Sequence, residues 1–224
     1  MTLDLNDIVI PYQEYYGSNN QQMQRLIADG RIPISVSQVM ERRLNSRKQN
    51  WKDNYFGTGD AIVYHPDGKF KVVLDSQKLR EITSESKLNN GALVLADGMY
   101  EQFQGEEFKR ENAIFERELT AKEVKAHAVW RCFARNQELL NEYTNKMFLE
   151  MKTRFTYDNN MGIYLASPQK MPTLRAAWVG GLGDGSGIDG RVVLGSDIGR
   201  FVGVAPEALS ASNKTESGLE MRSK

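Results

Sequence analysis

A glutamate and a histidine stand four residues apart near the start of the longest helical pattern in the chain. Glu123 and His127 would share one face of a helix, because residues separated by four are neighbours there. A carboxylate beside an imidazole can orient the ring and raise its basicity, as a general base requires. The pair supports one hypothesis, an enzyme that uses Glu123 and His127 as catalytic residues. The alternative is a structural histidine that only makes a hydrogen bond along the helix.

A run of cations in the N-terminal part of the chain is a second chemical feature. Between Glu41 and Lys52 there are five basic residues and one acid. Cations neutralise phosphates and aromatic rings stack on bases, so residues 35–56 are a candidate nucleic-acid site. Its predicted members are Arg42, Arg43, Arg47, Lys48, Trp51 and Lys52. The alternative interpretation is that these cations are the solvated face of an amphipathic helix.

The sequence GGLGDGSGIDG, at residues 180–190, is a third feature. Glycine-rich loops can hold phosphate because their main-chain N–H groups approach it closely. Gly183 and Gly185 are therefore candidate anion-binding residues, and Arg131 on the helical pattern is a third. Because no Lys-Ser/Thr pair follows the glycines, the alternative is a flexible connection between strands.

Metal and cofactor chemistry have no support in the sequence. With two histidines and one cysteine, the chain cannot form a His-rich or Cys-rich zinc site. Asp184 and Asp189 do not have the spacing of an EF-hand calcium loop. Cys132 falls within the helical pattern, and we expect it to be a small, partly buried side chain rather than a nucleophile. The sequence predicts no metal and no cofactor, and enzymatic activity stays uncertain, with the balance against it.

The helical pattern that would position the first pair runs from residue 120 to 155. Thr120 and Glu123 form a capping box at its start. A continuous helix of this length would be about 50 Å long, so we expect a kink near Asn136. Its apolar stripe repeats at helical spacing and should build the core; it includes Trp130, Phe133, Leu140 and Met151.

The other elements indicate an α+β fold, with antiparallel β-hairpin and meander elements packed on the long central helix. An N-terminal pair of short helices is predicted at residues 19–30 and from about residue 35 to 44. Hairpin strands are predicted at 61–64 and 69–74 around the turn HPDG, and a further strand at 92–95. The segments MGIYLA, TLRAAWVGGL, GRVVLG and GRFVGVA are typical of an antiparallel meander.

The chain divides by pattern into three parts. We predict an N-terminal helical segment with a helix-turn-helix outline at 1–56, a main α+β domain at 57–209, and a polar C-terminal tail at 210–224. The 29 basic and 29 acidic residues balance, so no overall field attracts nucleic acid or anionic membranes.

Composition also bears on location and partners. A single cysteine favours a cytoplasmic protein, and no stretch of apolar residues is long enough to cross a membrane. The leading hypothesis is therefore a cytoplasmic interaction or assembly protein without catalytic chemistry, which self-associates or binds a protein partner. Nucleic acid is the alternative partner, and no membrane partner is expected.

Overall fold

The computed structural model describes residues 3–5, 11–110 and 116–206. Over these ranges the chain forms eight α-helices and one mixed sheet of eleven strands. The α+β prediction is confirmed, but the sheet is much larger than the predicted hairpin and meander elements. The predicted polar tail, 210–224, lies outside the described residues.

The N-terminal pair of helices is present as predicted. The second of them begins with a capping box in which Ser35 accepts from the Gln38 main-chain N–H and the Gln38 side chain accepts from that of Ser35. The helices are α1 Asn19–Ala28, α2 Val36–Asn45, α3 Asn50–Asp53, α4 Gln77–Arg80, α5 Met99–Gln102, α6 Ala121–Ala126, α7 Ala128–Ala134 and α8 Gln137–Phe155.

The single long helix expected between residues 120 and 155 is instead three helices, α6 to α8. The break at Asn136 was predicted: its side chain caps α8 by accepting from the N–H of Glu138 at 2.7 Å, and Arg135 before it has a left-handed φ of 61°. A second break, at His127, was not predicted. There the backbone is extended, with ψ of 119°, so α6 ends and α7 begins at this residue.

The strands also follow the sequence pattern only in part. GRVVLG was predicted as a strand, but the strand lies just before it, at β10. The bounds are β1 Tyr12–Tyr16, β2 Ile32–Pro33, β3 Phe56–Tyr64, β4 Lys69–Val73, β5 Leu88–Asn89, β6 Ala92–Val94, β7 Glu106–Lys109, β8 Ile163–Tyr164, β9 Thr173–Val179, β10 Ile188–Asp189 and β11 Arg200–Val204.

The sheet is organised around the antiparallel pair β3 and β9, in which Ile62 lies opposite Arg175. The predicted hairpin of β3 and β4 is present, with Tyr64 opposite Phe70. Strand β11 pairs with β3 in parallel and with β1 antiparallel, and β10 pairs with β8 in parallel. These parallel pairings join segments distant in the chain, so the sheet is not the simple antiparallel meander that we predicted.

A bulge in β3 between Gly57 and Ala61 connects the sheet to helix α2. Asp60 lies in this bulge and is fully buried, and its carboxylate accepts from the N–H of Val36 at 2.7 Å. Val36 is the first residue of α2. A carboxylate at a helix N-terminus is favourable because the N–H groups there have no partner within the helix.

Both faces of the sheet are covered, since alternate residues of a strand point to opposite faces. On one face, Ile62 belongs to an apolar cluster with Trp130 and Phe133 of α7. On the other face, Val63 belongs to a cluster with Met23 of α1. Residues of the predicted 1–56 segment thus share both clusters with residues of 57–209. Among the described helices, none combines the length and the hydropathy that a bilayer span requires.

Candidate functional site

The predicted catalytic residues lie at the two ends of α6, with Glu123 in its first turn and His127 at its C-cap. The Glu123 carboxylate accepts from the Thr120 N–H at 2.8 Å and from Arg117 Nη2 at 2.6 Å. The bond with Arg117 and those with Thr120 lower the pKa of Glu123 to about 2. His127 is buried at the break between α6 and α7. Neither Glu123 nor His127 lines either of the two clefts described below. The positions of these two residues therefore add no support to the enzyme hypothesis.

Two members of the predicted nucleic-acid site lie in the core. Arg43 and Trp51 are both fully buried, and the Trp51 indole donates to the Leu5 carbonyl at 2.7 Å. A fully buried ring offers no face on which a base can stack, and every N–H group of the Arg43 guanidinium donates within the protein. In this fold neither side chain is presented at the surface.

The other predicted cations lie nearer the surface. Arg42 lies 5.0 Å from the centre of the Tyr12 ring. Lys48 pairs with Asp4 at 2.8 Å, and Lys52 pairs with Glu150 at 2.5 Å. Arg47 is exposed. Nucleic-acid binding by these side chains stays a prediction.

Arg43 is the centre of a buried polar network. Its Nε donates to the Trp51 carbonyl at 2.8 Å. Its Nη1 donates to the hydroxyls of Tyr143 at 2.9 Å and Ser186 at 2.8 Å. Its Nη2 donates to the carbonyls of Asn54 and Gly180, at 2.9 and 2.8 Å. These five bonds use all five N–H groups of the guanidinium. The network fixes α2 against α8 and against the glycine-rich loop.

The glycine-rich loop contains a short turn that packs against two helices. Residues Leu182–Asp184 form a short 3₁₀ turn, which packs on α3 and α8, and Gly185 after it has a left-handed φ of 74°. Arg131 is exposed on α7, and no hydrogen bond or ion pair among the described residues joins it to Gly183 or Gly185. The predicted anion-binding set is therefore not assembled by direct contacts.

The loop instead forms one wall of a cleft of about 500 Å³, which we call the aromatic cleft. At its centre the rings of Tyr55 and Trp178 stack with centroids 5.5 Å apart, and Trp178 meets Phe201 edge-on at 5.6 Å. The lining residues come from β8, β9, β10 and the segments around them and before β3: Tyr55, Tyr164, Trp178, Gly180, Asp184, Gly187, Asp189, Arg191, Val192 and Ile198.

The polar groups of the aromatic cleft are few. Asp189 accepts two hydrogen bonds from the Arg191 guanidinium, at 3.1 and 2.7 Å, and a third from the Arg191 main-chain N–H at 2.7 Å; the guanidinium lies 4.6 Å from the centre of the Tyr164 ring. Burial raises the pKa of Tyr55 and of Tyr164, so both phenols stay protonated donors at neutral pH. Trp178 is 5% exposed, and its Nε1–H has no acceptor among the described residues. The cleft therefore combines apolar surface with a few donors and carboxylates.

A second cleft, of about 750 Å³, adjoins the first through Arg191, and we call it the arginine cleft. It is lined by Arg110, Glu116, Leu165, Ala166, Ser167, Gln169, Arg175 and Arg191. Sequence reasoning missed both clefts, because their residues are distant in the chain. One signal was available, since Arg175 interrupts the apolar strand TLRAAWV. A charged residue at a buried position is usually paired with another group or serves a function.

No protein-family model matches the chain, and no curated protein matches it. The structure is similar to a solved structure described as accommodation of massive sequence variation in Nanoarchaeota by the C-type lectin fold. The TM-score is 0.66, the identity is 16%, and the match covers 86% of this chain and 97% of that one. At this identity the likeness shows the fold. The chain thus has a C-type lectin-like fold, with the two clefts beside β9.

Proposed function

We propose that this protein is a non-catalytic interaction protein that binds a polypeptide partner in the aromatic cleft. The observation that carries the proposal is the stacked pair of Tyr55 and Trp178 in a cleft whose lining includes the exposed Ile198. Aromatic side chains are enriched in protein interfaces because they offer a large apolar area at a small cost in side-chain entropy. An apolar side chain of the partner would enter the cleft as an anchor.

Exposed apolar residues near the cleft favour a protein partner over a small molecule. Ile198 is 56% exposed, Val193 is 43% exposed and Tyr16 is 55% exposed. Arg200 lies 5.7 Å from the Tyr16 ring and 5.1 Å from the Tyr55 ring, which links Tyr16 to the cleft. An open cleft with an apolar margin is suited to a polypeptide that covers a wide surface.

The polar groups limit the chemistry of the anchor. An acceptor on the partner, such as a main-chain carbonyl, would satisfy the Trp178 N–H; an unmade bond of this kind costs about 1–3 kcal/mol. Asp184 is exposed beside the cleft, while Asp189 is engaged by Arg191. A basic side chain next to the apolar anchor would therefore be complementary to Asp184.

The similar structure gives indirect support. The description of that structure says that its C-type lectin fold accommodates massive sequence variation. A scaffold that tolerates such variation suits a surface shaped to fit a partner, since binding residues can change while the core is kept. For this chain, we take the likeness as a reason to favour recognition over catalysis. A second copy of the chain is the alternative occupant.

The experiment places a photo-crosslinking amino acid at Ile198 and, as a matched control, at Leu149, which is 67% exposed on α8. We expect a protein adduct from position 198 and not from 149. The captured protein is then purified and its affinity is measured by calorimetry. The variant Ile198→Asp should weaken binding at least about tenfold, as loss of a buried anchor does, whereas Leu149→Asp should not.

Adducts of equal yield at both positions, or equal affinities of the two aspartate variants, would contradict the proposal. An adduct of this chain with itself would identify a second copy as the occupant. In that case the molar mass in solution must fall on Ile198→Asp substitution.

A further inference from the structure

Arg175 is a buried cation on the central strand β9. It is 5% exposed. Its Nη1 donates to the carbonyls of Arg191 at 2.6 Å and Val192 at 3.0 Å, and its Nη2 donates to the carbonyl of Asn90. All three acceptors are neutral, and no carboxylate among the described residues forms an ion pair with this guanidinium. Burying a charge is costly, so a buried cation held only by carbonyls calls for an anion.

The hydrogen bonds of Arg175 leave a defined pair of donors. A guanidinium has five N–H groups, and the three bonds to carbonyls use both on Nη1 and one on Nη2. The two that remain are on Nε and Nη2. These nitrogens form one side of the guanidinium fork, which binds a carboxylate or a phosphate through two parallel hydrogen bonds.

Two more arginines line the same cleft. Arg110 donates to the Leu165 carbonyl at 2.6 Å and lies 3.3 Å from Glu116. Arg191 is paired with Asp189, as described above. The side chains that line this cleft thus include three guanidinium groups and one carboxylate, that of Glu116. Positive charge exceeds negative charge at this surface, and the excess centres on Arg175.

We propose that the arginine cleft binds an oxyanion, a carboxylate or phosphate group of a ligand, through Nε and Nη2 of Arg175. Arg110 and Arg191 add positive charge at its walls. The space of about 750 Å³ leaves room for the rest of a larger ligand that carries the oxyanion. The two clefts share only Arg191 among their lining residues, so the oxyanion site does not depend on a partner in the aromatic cleft.

The test is a titration of the ¹⁵N-labelled full chain with sodium phosphate and, separately, with sodium acetate, at constant ionic strength. The Nε–Hε resonance of Arg175 reports directly on the proposed bond. We expect this resonance to shift and to saturate with one of the two anions. Saturation by phosphate identifies a phosphate-bearing ligand, and saturation by acetate identifies a carboxylate.

Matched variants separate the site from general charge effects. Arg110→Gln removes a cation from the cleft, and Arg154→Gln removes one from α8 that is paired with Asp53. The two side chains are similarly exposed, at 32% and 34%. We expect Arg110→Gln to weaken anion binding about tenfold, because it removes a cation from the cleft wall near the anion, and Arg154→Gln to leave it unchanged.

Shifts that stay linear with both anions, or equal weakening by the two glutamine variants, would overturn the proposal. The Ile198→Asp variant should retain anion binding. Failure of the oxyanion site is thereby distinguished from failure of the aromatic cleft.

Discussion

Nη2 of Arg43 donates to the carbonyl oxygen of Gly180 at 2.8 Å, which ties helix α2 to the wall of the aromatic cleft. The same guanidinium donates to the hydroxyl of Ser186, six residues further along the loop. Arg43 is thus a buried cation that holds the loop forming one wall of the aromatic cleft. The basic residues of the 35–56 segment do not share one role, since Arg43 is internal and Arg47 is exposed.

Replacing Arg43 with Met should destabilise the fold by about 3 kcal/mol or more, because buried carbonyls and hydroxyls would lose their donor. Urea unfolding followed by circular dichroism measures the effect. Arg47→Met is the control and should change stability by less than about 0.5 kcal/mol, since Arg47 is exposed. Similar unfolding midpoints for the two variants would show that the buried network contributes little.

The glycines of the 180–190 loop should differ sharply in their tolerance of alanine. A Cβ on Gly181 would lie 2.7 Å from the Asp53 carbonyl oxygen, whereas a Cβ on Gly183 would meet only the Phe155 ring, at 3.9 Å. We expect Gly181→Ala to cost about 1–3 kcal/mol by overpacking and Gly183→Ala to be nearly neutral. Thermal unfolding of the two variants provides the measurement. Equal stabilities would mean that the backbone of the loop can shift to accommodate the added methyl group at little cost in free energy.

Local sequence signals predicted the ends of several elements. The capping box of α6 and the break at Asn136 were both predicted, because each depends on residues within a few positions. The break at His127 could not be predicted from the sequence, because the apolar stripe continues through Trp130 without interruption. Nothing in the local pattern separates α6 from α7.

Long-range contacts explain what the sequence could not show. The parallel pairing of β11 with β3 places Phe201 opposite Gly57. The hydrophobic periodicity of a strand does not predict which distant strand it pairs with. The burial of Arg43 depends on acceptors as distant as Tyr143 and Ser186. A helical pattern alone therefore placed Arg43 with the surface cations. The clefts have the same origin, since their residues meet only when the sheet forms.

Cys132 should be a slow nucleophile. Burial, with the charge of Glu106 as a smaller cause, raises the pKa of its thiol to about 12 from a usual value of 9.0. The thiolate is the reactive form, so at pH 8 alkylation by iodoacetamide should be about a thousandfold slower than for an unperturbed thiol. Mass spectrometry over time measures the rate, and the urea-unfolded chain is the reference. Equal rates in both states would contradict a buried thiol.

The capping carboxylate of α6 should contribute to stability in a pH-dependent way. The bonds with Arg117 and Thr120 lower the pKa of Glu123 from 4.5 to about 2 in the folded chain. Between these values the unfolded chain binds more protons, so the contribution of Glu123 is present above pH 4.5 and is lost as the pH falls towards 2. Glu123→Gln keeps a residue that suits a capping box but cannot titrate.

The difference in unfolding free energy between wild type and Glu123→Gln should therefore be largest above pH 5 and should shrink as the pH falls towards 2. Urea unfolding at several pH values measures this difference. Arg117→Gln provides the control, because the loss of its bond should bring the pKa of Glu123 back towards the usual value and narrow the pH window. A difference that is constant across this range would mean that the Glu123 carboxylate gains nothing from its cap, because its ionisation would then be the same in the folded and unfolded chains.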